Sequence, residues 1–180
     1  MRYDWPSLLT SAPTLISAAI LLAAALHDIT ARTVPNWMAI ALVLLGLAQR
    51  GLAGSLPSGL LAGFLIFAVA AFCWRRGWLG GGDVKLLGAA SLVVPPVNVP
   101  GFICAVAFAG GILAVMYIAA RRVVTATAAS AVLPPRSADR GLFMRALRAE
   151  RWRIRRGGPL PYACAIAAGF LIVVLQDGIP

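Results

Sequence analysis

The uncharged stretch from Leu86 to Ala120 reads LLGAASLVVPPVNVPGFICAVAFAGGILAVMYIAA. It is too long for a single membrane helix, because about 20 apolar residues are enough to cross the core of a bilayer. The pair Pro95-Pro96, followed by Pro100-Gly101, interrupts the stretch where a turn between two helices is needed. The stretch therefore predicts two apolar helices joined by a short turn.

Other uncharged runs flank this stretch, and each is near or above the length of one membrane crossing: Trp5 to Leu26, Thr33 to Gln49, Gly51 to Trp74 and Gly157 to Gln176. Hydrophobic residues make up 61% of the chain and charged residues only 12%, which reverses the balance of a soluble domain. We therefore predict an all-α, polytopic integral membrane protein with about six transmembrane helices. These helices are expected to form one membrane-embedded domain over residues 1–180.

The basic residues of the chain are distributed unevenly along it. If six passes are threaded with the N-terminus outside, fourteen basic residues fall on one side: Arg32, Arg75, Arg76, Lys85 and ten arginines from Arg121 to Arg156. Only Arg2 and Arg50 fall on the other side. The excess marks the first side as cytoplasmic. It also explains the net charge of +10 without a nucleic-acid partner.

Residues 121–158 form the long polar stretch between the last two predicted helices, and we predict that they are a basic cytoplasmic loop. Phe143, Leu147 and Ile154 share one helical face, a pattern that fits a basic helix resting on anionic membrane lipid. A solvated loop that only enforces the topology is the alternative.

A reporter fused within residues 136–151 should therefore read as cytoplasmic, and one fused after Asp177 as external. The physical reason is the asymmetry of fourteen basic residues against two. Alkaline phosphatase and fluorescent-protein fusions, which are active on opposite sides of the membrane, would measure it. The reverse pattern would contradict the predicted orientation.

Two of the six acidic residues stand against apolar sequence, where a carboxylate is costly unless it has a partner or a role. Asp28 follows helix one, and Asp83 follows the three consecutive glycines at 80–82, which predict a loop leading into helix four. Helix four offers only ~18 Å before the proline pair, so its start is expected to be recessed below the membrane surface. The predicted topology places both aspartates at the cytoplasmic face.

Two carboxylates that share a partly desolvated site cannot both ionise easily, so one keeps a proton while the other acts as a base. That state suits the hydrolysis of a peptide by an activated water. Each aspartate could instead be a helix cap or an interfacial charge. Lys85 could tune the site or extend toward the interface, and His27 is expected to be interfacial.

No metal or cofactor is predicted. The chain has one histidine, and Cys73, Cys104 and Cys164 lie in apolar runs without a CxxC pair, which argues against a zinc centre. The glycine triplet lacks the GK[ST] ending of a phosphate-binding loop.

At these residues the sequence resembles the type IV prepilin leader peptidase and preflagellin peptidase family, membrane aspartyl proteases named for a GxGD motif. Gly80, Gly82 and Asp83 fit that motif, which Val84-Lys85-Leu86 extends in the family's manner. Asp28, followed by Val34 and Pro35-Asn36, resembles the second signature of the family. The resemblance implies that Asp28 and Asp83 are catalytic and that Gly80, Gly82, Lys85, Pro35 and Asn36 support them. In a third resembling stretch, Ala163-Cys164 stand where the family usually has Gly-Pro.

The resemblance further implies removal of the N-terminal leader of a type IV-like prepilin at the cytoplasmic side of a bacterial inner membrane. Because the chain lacks the paired cysteines of the methylating members, it is similar to the peptidase-only branch of tight-adherence (Flp-type) pili, and N-methylation is not expected. Two other classes stay open: a small proton- or cation-coupled transporter subunit, and a non-catalytic scaffold of a pilus or secretion machine. Internal symmetry would favour transport, and none is apparent.

Overall fold

The computed structural model describes residues 12–128 and 160–176, and the side chains of 123–128 are not included. These residues form α-helices and one short 3-10 turn, without a strand, which confirms the predicted all-α class. The helices are α1 (Ala12–Ala31), α2 (Asn36–Leu52), α3 (Leu56–Arg75), α4 (Gly81–Val93), α5 (Val99–Ala128) and α6 (Tyr162–Gln176), and the 3-10 turn is Pro96–Asn98.

Consecutive helices alternate in direction, so that the chain ends of α1, α3 and α5 meet the starts of α2, α4 and α6. We call this the aspartate end of the bundle, because Asp28 and Asp83 both lie there. α4 is the central helix and contacts α1, α2, α3 and α6, while α5 packs mainly against α6. The core is formed by small and aliphatic side chains of these helices, with Phe102 and Phe170 in edge-to-face contact at 6.5 Å.

The outer surface of the bundle is apolar, as expected of a protein surrounded by lipid. Large hydrophobic side chains point outward, including Phe64 on α3 and Phe108 on α5, which are 71% and 77% exposed. Three helices (α1, α3 and the segment Pro96–Arg122 that includes most of α5) are long and apolar enough to cross a membrane, whereas α2 and α6 are shorter apolar helices. The chain is therefore a multi-pass helical membrane protein.

Several predicted helix ends are wrong by about one turn. α1 does not end near Leu26 but continues to Ala31, because neither a proline nor a glycine stands in its path. α2 continues through the predicted turn at Gln49-Arg50-Gly51 and ends at Leu52, and the chain reverses instead at Gly54, which has a φ of 65°. α5 begins at Val99, so Pro100 and Gly101 lie in its first turn rather than in the turn that precedes it. The turn after Pro95 agrees with the prediction.

Arg50 is buried, although its predicted place was an external loop. It is 5% exposed, and its guanidinium Nη2 donates a hydrogen bond to the Val93 carbonyl at the end of α4, at 3.3 Å. The last carbonyls of a helix have no partner within it, so a donor from α2 stabilises this end. The stem of Arg50 lies against Gly59 of α3, where a Cβ would be 2.7 Å from Arg50 Cγ.

Glycines allow the helices to approach closely, as is common where lipid provides no hydrophobic force between helices. A Cβ at Gly88 on α4 would be 2.9 Å from Phe67 Cβ on α3, and one at Gly46 on α2 would be 3.0 Å from the Leu92 carbonyl carbon. A Cβ at Gly169 on α6 would be 2.5 Å from Val106 Cγ2 on α5. These contacts hold α4, which carries Asp83, against α2 and α3, and they hold α5 against α6. The predicted basic loop, 121–158, is wrong over its first eight residues, because α5 continues through 121–128, and the remainder of it lies outside the described residues.

Candidate active site

Asp28 and Asp83 lie at the aspartate end of the bundle and are the only acidic residues within the described part of the chain. Asp28 is in the last turn of α1, on the face that packs into the core, and is 7% exposed. Asp83 is in the first turn of α4 and is half-buried. The structure thus brings the two aspartates to one place, each on a helix rather than on a loop.

The two carboxyl groups interact electrostatically. Asp83 lies outside the helices that are long and apolar enough to cross a membrane. Burial, and after it the negative charge of Asp28, raise the pKa of the Asp83 carboxyl from its ordinary value to about 6. A hydrogen bond from the Gly80 backbone and the positive charge of Arg32 act in the opposite direction. A carboxyl with this pKa can exchange its proton near neutral pH, as general acid–base catalysis needs.

The glycine triplet is not a loop, contrary to the prediction. Gly81 and Gly82 belong to α4, Gly80 precedes it with an ordinary φ of −75°, and the left-handed glycine of this segment is Gly77, with φ 76°. The Asp83 carboxylate accepts a hydrogen bond from the Gly80 backbone N–H. Asp83 therefore also contributes to the capping of α4, which was one of the two interpretations of this residue.

The two motif glycines are needed for space. A Cβ at Gly80 would lie 2.8 Å from Asp83 Oδ2, so a larger residue there would displace the carboxylate. A Cβ at Gly82 would lie 3.2 Å from Val34 Cβ, because the segment between α1 and α2 packs directly on the start of α4. Because neither glycine has a side chain, the connection between α1 and α2 can lie close to Asp83.

Lys85 and Asn36 connect the same two segments. The Lys85 Nζ donates a hydrogen bond to Asn36 Oδ1 at 3.0 Å, and both side chains are exposed. Asn36 is the first residue of α2, and Pro35 precedes it at the N-cap position rather than beginning the helix. The contact supports a role of Lys85 in joining the motif that contains Asp83 to the motif that contains Asp28 and Asn36.

Two residues on either side of Asp28, His27 and Arg32, lie at the end of α1 and in its connection to α2. The His27 Nδ1 donates a hydrogen bond to the Thr33 carbonyl at 2.6 Å, which assigns it a local structural contact. Arg32, which the sequence interpretation used only as a topology charge, acts electrostatically on Asp83 and is part of the site. The sequence pattern contains no signal for this role, because Arg32 follows the last residue of α1 with a φ of 56° and so does not continue the helical face of Asp28.

The described residues contain no group of three or more His, Cys, Asp or Glu side chains that could hold a metal ion. Within them, Cys73, Cys104 and Cys164 are free thiols. The chemistry that this arrangement can perform is therefore that of two adjacent carboxyl groups at the end of a helical bundle.

The fold and the site together define the class of the protein: it is a helical membrane protein with a pair of partly buried aspartates. The comparison with family models then identifies the chain: residues 15–115, more than half of it, match the type IV leader peptidase family, and the chain belongs to that family. The matched segment runs from α1 into α5 and includes both aspartates, the motif glycines and the Lys85–Asn36 contact. Neither the curated proteins nor the solved structures contain a significant match.

Replacing Lys85 by methionine should lower peptidase activity about fivefold, because the contact between the two aspartate segments is lost while the exposed position tolerates the change. Asn36→Ala should have a similar effect, and the double variant should be no worse than either single variant, because both remove the same hydrogen bond. The measurement is the initial cleavage rate of each of the three variants. Lys85→Arg, which keeps a positively charged hydrogen-bond donor at this position, is measured beside them. Fully additive losses would contradict a shared contact.

Proposed function

We propose that the chain is a membrane-embedded aspartyl endopeptidase that removes the N-terminal leader of a type IV-like, Flp-type prepilin. The family establishes a leader peptidase. The aspartic mechanism is supported by one observation above all: the two acidic residues of the described chain lie together, partly buried, and act on each other electrostatically. Cleavage at the cytoplasmic face is supported by the distribution of basic residues along the sequence.

The reaction needs one proton shared by the pair. The ionised carboxylate takes a proton from water, and the water oxygen bonds to the scissile carbonyl carbon. The protonated carboxyl gives its proton to the carbonyl oxygen, so a neutral tetrahedral diol forms. In the collapse, one hydroxyl returns its proton to the second carboxylate and the first carboxyl protonates the leaving nitrogen, after which the C–N bond breaks. The pair then again holds a single proton.

The surroundings of the pair suit this chemistry. The helix positions of Asp28 and Asp83 hold the carboxyls more firmly than loops would. The start of α4 also provides backbone N–H groups, one of which donates to Asp83 and stabilises its ionised form. No metal and no side-chain nucleophile enters the mechanism.

The test is co-expression with an Flp-type prepilin whose leader ends in glycine before the hydrophobic segment. We expect a mobility shift of the prepilin, with mass spectrometry showing a new N-terminus directly after the leader glycine. With purified enzyme in detergent, a chelator should leave cleavage intact, and S-adenosylmethionine should give no methylated product. An unprocessed prepilin, or a chelator effect reversed by added zinc, would contradict the proposal.

A further inference from the structure

Arg32 has a backbone conformation that its residue type disfavours. Its φ is 56°, and it is the one non-glycine residue with positive φ among residues 12–128 and 160–176. Its N–H donates a hydrogen bond to the Asp28 carbonyl at 2.9 Å, which closes the last turn of α1. Glycine or asparagine would adopt this conformation at lower cost than a residue with a long side chain. The cost indicates that the side chain has a role.

The guanidinium of Arg32 is directed across the aspartate end of the bundle. It is half-buried, and its Nη2 donates a hydrogen bond to the Tyr117 hydroxyl of α5 at 3.3 Å. Tyr117 lies 85 residues further along the chain, so this contact depends on the tertiary fold. The backbone of Arg32 is thus fixed to the helix that carries Asp28, while its side chain is fixed to α5.

The positive charge of Arg32 acts electrostatically on Asp83. It favours the ionised form of Asp83, in opposition to burial and to the charge of Asp28. A half-buried guanidinium is screened less by water than an exposed one, so its charge acts on Asp83 more strongly than that of an exposed arginine at the same distance would. The elements around Asp83 carry these other titratable or charged groups near the aspartate end: His27 and Asp28 on α1, Arg75 and Arg76 on α3, Lys85 on α4, Tyr117 on α5 and Tyr162 on α6.

We propose that Arg32 is a positioning residue of the aspartate pair, held by Tyr117 so that its guanidinium balances the single negative charge that the working pair carries. The inference rests on the proposed function. Two partly buried carboxyls with one proton carry one negative charge, which is costly without a counter-charge. Arg32 supplies that charge and takes no part in the proton transfers of the reaction.

The experiment is the pH profile of leader cleavage by purified enzyme in detergent. The Arg32 charge lowers the pKa of Asp83, which titrates beside an ionised Asp28, and a counter-charge favours ionisation of a coupled pair as a whole, so its removal should raise both apparent pKa values of the pair. Arg32→Gln should therefore shift the acid limb of the profile upward by about one pH unit and reduce the rate on that limb about tenfold. The alkaline limb, on which the pair loses its shared proton, should move upward as well.

Three further variants separate charge from structure. Arg32→Lys keeps the charge and should keep the acid limb close to that of the wild type. Tyr117→Phe should shift it in the same direction as Arg32→Gln but less, because the guanidinium loses its hydrogen bond and keeps its charge. Arg75→Gln, which removes an exposed charge at the end of α3, is the matched control and should leave the profile unchanged.

The outcomes decide between the inference and the proposed function. If Arg32→Gln has the pH profile of the wild type while Asp28→Asn abolishes cleavage, the inference is overturned and the peptidase stands. If the wild type itself does not cleave a prepilin, both are overturned. Should Arg32→Gln fail to accumulate, Arg32→Gly decides by the same criterion, because glycine adopts a φ of 56° without strain.

Discussion

Replacing either Asp28 or Asp83 by asparagine should reduce leader cleavage on the order of 10³-fold or more, while the protein still accumulates in the membrane. Asparagine keeps the size of aspartate and much of its hydrogen bonding, but it cannot take a proton from water or share one. At position 83 it can still accept the hydrogen bond from the Gly80 backbone, so the start of α4 should be preserved. The loss would then be chemical rather than structural.

The double variant should be about as inactive as either single variant, because the two carboxyls act as one unit. The measurement is the fraction of co-expressed prepilin converted, with membrane levels of the enzyme compared by immunoblot. Asp139→Asn and Glu150→Gln, both within the basic stretch 121–158, serve as controls and should retain near-normal activity. Normal processing by Asp28→Asn or Asp83→Asn would remove the aspartyl mechanism and favour the transporter or scaffold interpretation.

The second large effect concerns stability and is expected at Gly169. In Gly169→Ala the added Cβ would be 2.5 Å from Val106 Cγ2, and it would also be 2.7 Å from the Val106 backbone nitrogen. A side chain can rotate away, but the backbone of α5 cannot, so α5 and α6 must separate. We expect a loss of roughly 1–3 kcal/mol in the free energy of unfolding, and more for Gly169→Leu.

Thermal unfolding in detergent, followed by circular dichroism, would measure the effect on Gly169→Ala. Gly111→Ala is the matched control, because it lies on α5 with nothing within 4 Å of an added Cβ. That substitution should leave the unfolding temperature unchanged or raise it slightly, since alanine favours a helix over glycine. Equal unfolding temperatures for the two variants would contradict close packing of α5 and α6.

The fold and the position of the site were largely predictable because both follow from simple constraints. Apolar runs of membrane-spanning length, separated by basic or proline-containing segments, indicate the helices. Alternating passes then place Asp28 and Asp83 at one end, and the structure has them there. In a chain with so few acidic residues, two that stand beside apolar sequence are conspicuous.

The predictions that were wrong concern details that depend on tertiary contacts, and a sequence pattern does not contain these contacts. The glycines at 80–82 suggested backbone freedom, but their function is to leave space for Val34 and for the carboxylate of Asp83. Arg50 was expected in a turn because of its charge. It is buried instead, because the end of α4 needs a hydrogen-bond donor from outside the helix. The same limit applies to Arg32, whose partner Tyr117 lies far away in the sequence.

The contacts of α2 with α4 have a consequence for motion during turnover. Lys85 meets Asn36 where both helices begin, and Arg50 meets the Val93 carbonyl where both end. The parallel helices α2 and α4 are thus joined at both ends, and Gly46 packs against Leu92 between these two contacts. We expect α2 and α4 to move together as one rigid body. Asp83 belongs to this body and Asp28 to α1, so the gap between the two carboxyls depends on how residues 32–35 hold α1 against the body, with Val34 packed on Gly82.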